Sequence, residues 1–274
     1  MYPLTAIVSD IHSNRQALAV ALADAAARGA RRYVCLGDVV GYGACPANCL
    51  DTIMSITGQG AGGATGPGEP AHDTTGVAVE RGLCLLGNHE QALMQSAEDF
   101  NPRAREAIEW TRERIQEGGD RYWNFIGALE PSAVDEAAQF VHGSPRDPVR
   151  EYVMPSDVRN PEKLAAMFAH QQRPICFVGH SHVPAVYYED QRFFRPRGTE
   201  GPYRVLSAPG ERAIINVGSV GQPRDGDVRL SYALFDGEAV TFVRLEYDVD
   251  GAQADIRASG GLPEYLAERL GQGR

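Results

Sequence analysis

Asp10-Ile11-His12, Gly37-Asp38, Gly87-Asn88-His89-Glu90, His142 and Gly179-His180-Ser181-His182 form five short polar clusters in this chain. Together they offer carboxylates, imidazoles and one amide, the hard and borderline donors that suit Mn, Fe, Zn or similar divalent ions. Asp10 and His12 are two residues apart, as are His180 and His182. In an extended segment, side chains at i and i+2 project to the same side, so each pair could reach one ion. Asp38 could bridge two ions, which an imidazole usually cannot, and Asn88 offers a neutral oxygen. Gly-Asp and Gly-Asn also serve as ordinary turn residues. It is their recurrence at successive strand ends that favours a ligand role.

Positioning these residues falls to short apolar runs. Leu4 to Ser9, Tyr33 to Leu36, Leu83 to Leu86 and Ile175 to Val178 read as buried strands, and each ends at one of the clusters. Phe140-Val141 leads into His142 in the same way. Open α/β sheets build their sites at such strand ends. An Ala/Leu-rich helix from Arg15 to Arg28, stopped by Gly29, joins the first two strands, so they should be parallel with a right-handed crossover. Pro46 begins a further helix to about Ile56, and Pro161 another to about Gln171. The segment at about 57–76 is dominated by Gly, Ala, Thr and Pro and reads as a flexible surface insertion, with His72 solvated. From Gln91 to about Ala138 the pattern is helical. Val186 to Glu189, Ala213 to Val217, Leu230 to Phe235 and Val240 to Tyr247 follow without helices between them, which suggests antiparallel pairing, and a helix from about Pro263 to Leu270 closes the chain.

The length of 274 residues suits a single domain over 1–274, carrying the 57–76 insertion and the 91–138 helical segment. Net charge is −10 with no run of Lys or Arg, so long nucleic acid is a poor partner. A small phosphoester could still bind if metal ions supplied the positive charge. No signal pattern and no stretch of membrane-spanning length is present, and the five cysteines are sparse and odd in number. A cytoplasmic protein with no membrane partner is expected. Cys45 and Cys49 share a helix face at i, i+4, a metal or redox pair being weighed against small buried helix residues, and His170 reads as a surface residue.

The order Asp-x-His, Gly-Asp, Gly-Asn-His-Glu, lone His, Gly-His-x-His resembles the calcineurin-like metallophosphoesterases, from Asp10 to about Tyr247. Ser9-Asp10-Ile11-His12-Ser13-Asn14, the glycine-flanked stretch Gly37 to Gly43, and Asn216-Val217-Gly218-Ser219 look most like a compact bacterial group. That group includes proteins similar to diadenosine tetraphosphatases and small phosphodiesterases. The resemblance implies an α/β fold, a four-layer α/β/β/α sandwich of two mixed β-sheets flanked by helices. It implies two divalent or mixed-valence transition-metal ions (Mn, Fe, Zn or Ni). Asp10, His12 and His182 would hold one, Asn88, His142 and His180 the other, with Asp38 bridging. The chain departs from the group in two places: Ser13 stands where Gly is frequent, and Asn88 lies 50 residues after Asp38.

The reaction implied by the resemblance is hydrolysis of a phosphoester or phosphoanhydride by in-line attack of a metal-bridging hydroxide. His89 would stay off the metals and act as the catalytic group, the other reading being a helix-start histidine that orients Asn88. Glu90 would support the turn. Asn14 and Arg224 could contact a phosphate, although Arg224 also reads as a surface turn residue. The partner would be a small phosphorylated substrate or a phosphoprotein. Two rivals share the fold: a catalytically silent protein-binding scaffold, which would be expected to have lost ligands, and a nuclease, which would need a basic surface.

Overall fold

The computed structural model describes residues 1–59, 71–72, 78–79, 82–98 and 100–274, with the backbone alone at 71–72 and 78–79. The chain starts with β1 (Thr5–Val8), α1 (Arg15–Ala27) and β2 (Arg32–Cys35), and β1 and β2 are parallel as expected. Next come α2 (Pro46–Thr57), the antiparallel pair β3 (Ala71–His72) and β4 (Ala78–Val79), and β5 (Leu83–Cys84). They are followed by α3 (Asn88–Met94), α4 (Pro102–Gln116), α5 (Asp120–Gly127), β6 (Ser132–Val134) and β7 (Ala138–Val141). A 3-10 turn at Pro155–Arg159 precedes α6 (Pro161–Ala169), β8 (Ile175–Val178), β9 (Ala185–Tyr188), β10 (Phe193–Phe194) and β11 (Glu200–Arg204). The chain ends with β12 (Ala213–Asn216), β13 (Leu230–Phe235), β14 (Ala239–Leu245), α7 (Val249–Ala258) and α8 (Glu264–Leu270).

Two six-stranded mixed sheets result, ordered β11-β14-β13-β1-β2-β5 and β10-β9-β12-β8-β7-β6. Strand alternation decides which layer each side chain enters. Ile7, Val34, Phe177 and Ile215 face the space between the sheets, where Phe140, Phe235 and Phe242 join them. Their neighbours Ala6, Val8, Tyr33 and Cys35 face the other way, onto Leu18, Leu22, Leu50 and Ile53 of α1 and α2. On the second sheet Cys176, Val178 and Ile214 face Leu164, Met167 and Phe168 of α6. These three apolar layers separate helices, sheet, sheet and helix, the four-layer α/β sandwich. A further cluster packs α4 against α7 and α8. Where the sheets meet at one edge, Tyr2 Oη and Arg32 Nη1 both donate to Asp135 Oδ2, at 2.7 and 2.6 Å.

Several expected elements differ. The helical stretch from Gln91 to Ala138 is three helices followed by β6, because Asp135 Oδ1 accepts from Ala137 N and Ala138 N at 2.9 and 2.8 Å and turns the chain into a hairpin. The late strands do pair antiparallel as expected, β12 with β9 and β13 with β14, while β12 also runs parallel to the earlier strand β8. Helix α7 was not expected, since it buries only Ala252 and Ile256 and contains Gly251, a weak periodic signal; Asp248 starts it by accepting from Gly251 N at 2.8 Å. Apart from Thr57, Gly58, Gln59 and the backbone of β3, the Gly-rich segment at 57–76 and the His72 side chain lie outside the described residues. Cys35, Cys84 and Cys176 are buried and free; Cys45 and Cys49 are also free, and burial pushes the Cys45 thiol up to about 11. His170 is exposed at the end of α6. No helix of the described residues is long and apolar enough to cross a membrane.

Candidate metal centre

Each proposed ligand lies just past the carboxyl end of a strand: Asp10 and His12 after β1, Asp38 after β2, Asn88 after β5, His142 after β7, His180 and His182 after β8. At five of these seven residues the backbone is left-handed, with φ of +54° at Asp10, +47° at His12, +52° at Asp38, +63° at His180 and +61° at His182. Non-glycine residues rarely adopt this conformation, and it persists only where the surroundings enforce it. The extended i, i+2 geometry expected for the two pairs is therefore replaced by tight turns, which aim the side chains without a pleat. The loops enforce the turns on one another. His12 N donates to Asp38 O and Ser13 N to Val39 O, both at 2.9 Å, and His180 N donates to Asp10 Oδ2 at 3.0 Å. Glu90 accepts from Asp38 N, Gly87 N and Val40 N at 2.8, 3.1 and 3.1 Å, pinning the Asp38 turn to the start of α3.

The ligand atoms converge in two groups that share Asp38. In the first, His182 Nε2 lies 3.1 Å from Asp10 Oδ1 and 3.2 Å from His12 Nε2. His12 Nδ1 faces Val40 O at 3.1 Å and His182 Nδ1 faces Gln222 O. A carbonyl only accepts, so these Nδ1 atoms carry the protons and both Nε2 atoms present lone pairs. In the second group, His142 Nε2 lies 3.1 Å from both Asn88 Oδ1 and His180 Nδ1, and 3.4 Å from Asp38 Oδ2. His180 donates its other ring nitrogen to Arg150 O at 3.1 Å, which frees Nδ1 as a lone pair. Asp38 Oδ2 is also 3.7 Å from His12 Nε2, so one carboxylate reaches both groups.

This array of acceptors fits a cation. Asp10 Oδ1 is buried without a hydrogen-bond partner. Burial would raise both carboxyls, but His182 beside Asp10, and His142 and His89 beside Asp38, hold them well below the usual carboxylate range. Burial keeps His12 well below its ordinary value and takes His180 down to about 3 and His89 down to about 4. At neutral pH these are neutral imidazoles, the form that binds metals. His142 is the exception: burial would lower it, yet Asp38 raises it to about 9. The space around it favours positive charge.

His89 stands beside both groups, and with His12 and Asp38 it makes a third cluster whose ligand atoms lie within 4.8 Å of one another. Its ring packs edge-on against Tyr42 and Phe100, with centroids 4.4 and 5.3 Å away, and its Nε2 is 4.0 Å from Asp38 Oδ2. A Cβ on Gly41, where φ is +91°, would stand 2.1 Å from His89 Nδ1, so only glycine leaves the ring its place. A cleft of about 260 Å³ opens over Asp38, Asn88, His89, His180 and His182. Arg224 borders it. Asn14 does not line it: its carboxamide oxygen caps α1 by accepting from Ala17 N, and its amide nitrogen donates to Gly221 O and Tyr247 Oη. The sequence reading missed Tyr42, Phe100, Arg150 and Tyr152, which also line the cleft. Tyr42 could have been found from its flanking glycines. Tyr152 stacks on His180 with centroids 3.7 Å apart, but it and Arg150 come from an irregular loop with no periodicity to mark it.

Comparison with known proteins gives matches over the whole chain. The family described as the calcineurin-like phosphoesterase superfamily domain matches residues 4–239. An uncharacterized protein of Methanocaldococcus jannaschii is 31% identical over 277 residues, covering 99% of this chain and 98% of that protein. The crystal structure of a metallophosphoesterase from Sphaerobacter thermophilus matches all of both chains, at 34% identity and a TM-score of 0.79. A hypothetical protein of Pyrococcus horikoshii shares the fold at 18% identity and a TM-score of 0.72, over 99% of this chain and 98% of that one.

Proposed function

Since this chain belongs to the calcineurin-like phosphoesterase superfamily, we propose that it is a metal-dependent phosphoesterase whose two ions flank Asp38. The observation that carries this reading is the Asp38 carboxylate, whose Oδ2 lies 3.7 Å from His12 Nε2 and 3.4 Å from His142 Nε2, one imidazole from each group. Asp10, His12 and His182 would hold one ion, and Asn88, His142 and His180 the other. Mn, Fe, Zn and Ni all accept this mixture of imidazole, carboxylate and amide oxygen. Bound there, the ions supply Lewis acidity toward water and phosphoryl oxygens.

The chain's own residues provide orientation and proton handling. Hydrolysis forms a bond from water oxygen to phosphorus as the bond to the leaving oxygen breaks; water loses one proton and the leaving oxygen gains one. His89, neutral at pH 7 and fixed by Tyr42, Phe100 and Gly41, would present an N–H to the phosphoryl or leaving oxygen as charge builds there. Arg224 at the cleft wall would bind a phosphate oxygen. The cleft's size suits a small phosphorylated molecule or a phosphorylated side chain of a protein, and the proposed setting is the cytoplasm.

The test is to strip the protein with a chelator and assay p-nitrophenyl phosphate and its bis ester with each metal. Turnover should return with Mn, Fe, Zn or Ni, at two ions per chain. Asp38→Ala retaining full metal-dependent turnover would sink the reading.

A further inference from the structure

The two ligand groups are not supported alike. His12 and His182 each direct Nδ1 at a main-chain carbonyl, those of Val40 and Gln222. In the second group His142 Nδ1 is buried without a hydrogen-bond partner among the described residues, so no carbonyl orients that ring. More of the second group's alignment therefore falls on His180, and two of its contacts come from one irregular loop, residues 143–154. Arg150 O accepts from His180 Nε2 at 3.1 Å, and the Tyr152 ring lies flat on the imidazole, with centroids 3.7 Å apart and planes inclined by 17°.

That loop is braced from within. Gly143 N donates to Pro148 O and Ser144 N to Asp147 O, at 2.6 and 2.9 Å. Asp147 Oδ1 accepts from Val149 N and Arg150 N at 3.3 and 3.1 Å. Glu151, between the two residues that touch His180, accepts from Ser144 Oγ and Arg146 Nε. Lys163 Nζ reaches from α6 to Tyr152 O at 3.0 Å. Tyr152 itself stays 43% exposed, so its ring is placed by the loop and by the imidazole beneath it rather than by the core.

We propose that Tyr152 is a positioning residue for the second ion: its ring fixes the plane of His180, so that Nδ1 stays aimed at the space shared with His142, Asn88 and Asp38. The inference rests on the metal-dependent phosphoesterase reading of the same site. The torsion that turns an imidazole about its Cβ–Cγ bond is soft, and one hydrogen bond to Arg150 O tolerates a range of tilts. A ring stacked face to face does not. The electron-rich face of tyrosine also favours an imidazole that a bound cation has made electron-poor, so the stack strengthens when the ion is present.

Mn binding to chelator-stripped protein, measured by equilibrium dialysis, tests this in two backgrounds. His182→Ala leaves the second ligand group whole, and His142→Ala leaves the first. In the His182→Ala background, Tyr152→Leu should weaken Mn about tenfold, the lower end of the cost of losing an outer partner of a metal ligand, and in the His142→Ala background less than about twofold. Tyr152→Phe keeps the ring and should bind within about twofold of the parent in both. Melting temperatures check that the variants fold. Unchanged binding in Tyr152→Leu, or equal losses in the two backgrounds, would overturn the role. Tyr152→Phe losing as much as Tyr152→Leu would overturn it too, since the hydroxyl and not the ring would then matter. Turnover of bis-p-nitrophenyl phosphate separates the two readings. The selective loss in a protein that hydrolyses no phosphoester would overturn the phosphoesterase reading and leave the role of Tyr152 standing; turnover without the selective loss would do the reverse.

Discussion

His12 and His182 bring their Nε2 atoms to 3.2 Å of each other although both Nδ1 protons are already directed at main-chain carbonyls. Two lone pairs then face one another in a buried space, with Asp10 Oδ1 3.1 Å from one of them. Without a cation this contact is repulsive. The fold holds it through backbone turns that are themselves strained, and so spends stability on geometry.

A divalent ion should therefore stabilise the protein as well as activate it. Ions that bind the folded chain alone raise its stability by about 2.7 kcal/mol at a hundredfold excess over the dissociation constant. Thermal melting of chelator-treated protein should rise on titration with Mn or Zn. In His182→Ala the metal-free protein should lose little, since a repulsive contact is removed, and the rise should shrink. A full rise in that variant would place the ion elsewhere.

Asp135 allows a pH test away from the ligand cluster, at the start of β7 rather than at its end. Burial would raise its carboxyl, but hydrogen bonds from Arg32, Tyr2 and the amides of Ala138 and Ala137 hold it below the usual value. A depressed folded pKa gives stability that is present above the ordinary carboxylate range and is lost as pH falls through the folded value. Asp135→Asn should cost about 1–2 kcal/mol at pH 7, in line with a charge-assisted hydrogen bond partly exposed to water. Urea unfolding should show that difference narrowing as pH drops below the ordinary aspartate range. A gap that is the same at pH 7 and at low pH would show that the carboxylate's charge does not matter.

How far the sequence speaks depends on which interactions position a residue. Strands such as Ile175–Val178 were legible because alternation of Ile175 and Phe177 with Cys176 and Val178 follows from a sheet buried on both faces. The polar clusters were legible because each interrupts such a run. The left-handed turns at Asp10, His12 and His182 were not, since they are imposed by loops distant in the chain, as when Ser13 N bonds Val39 O. Tyr152 was invisible for the same reason: only tertiary packing places it on His180. Asn14 carries two readings in sequence, because a helix-start asparagine caps its own helix, as it does here, as readily as it binds a phosphate.

Glu90 ties the Asp38 turn to α3 through three backbone amides. Glu90→Gln keeps the shape but turns an NH2 toward at least one N–H donor, leaving a buried donor unsatisfied, at a cost of about 1–3 kcal/mol. Because Asp38 reaches both ligand groups, the turn's loosening should weaken both ions together. Metal stoichiometry by mass spectrometry and equilibrium dialysis should show both affinities falling. Loss of one ion with the other unchanged would mean that Glu90 does not act through Asp38.

Gly41 isolates the role of His89 without altering any proposed ligand. A methyl group there would collide with His89 Nδ1, and φ of +91° strains any residue with a side chain. In Gly41→Ala the imidazole must swing from its place between Tyr42 and Phe100. If His89 presents its N–H to the reacting phosphate, kcat should fall about a hundredfold, the lower end of what a positioned proton donor contributes. Metal content should stay near wild type, because Asn88 and Asp38 keep their backbone supports. His89→Ala should show the same kcat and lose nothing further when combined with Gly41→Ala, as expected when one change acts through the other. Additive losses in the double variant would mean that Gly41 acts on the Asp38 turn instead, and that the His89 ring is not what it positions.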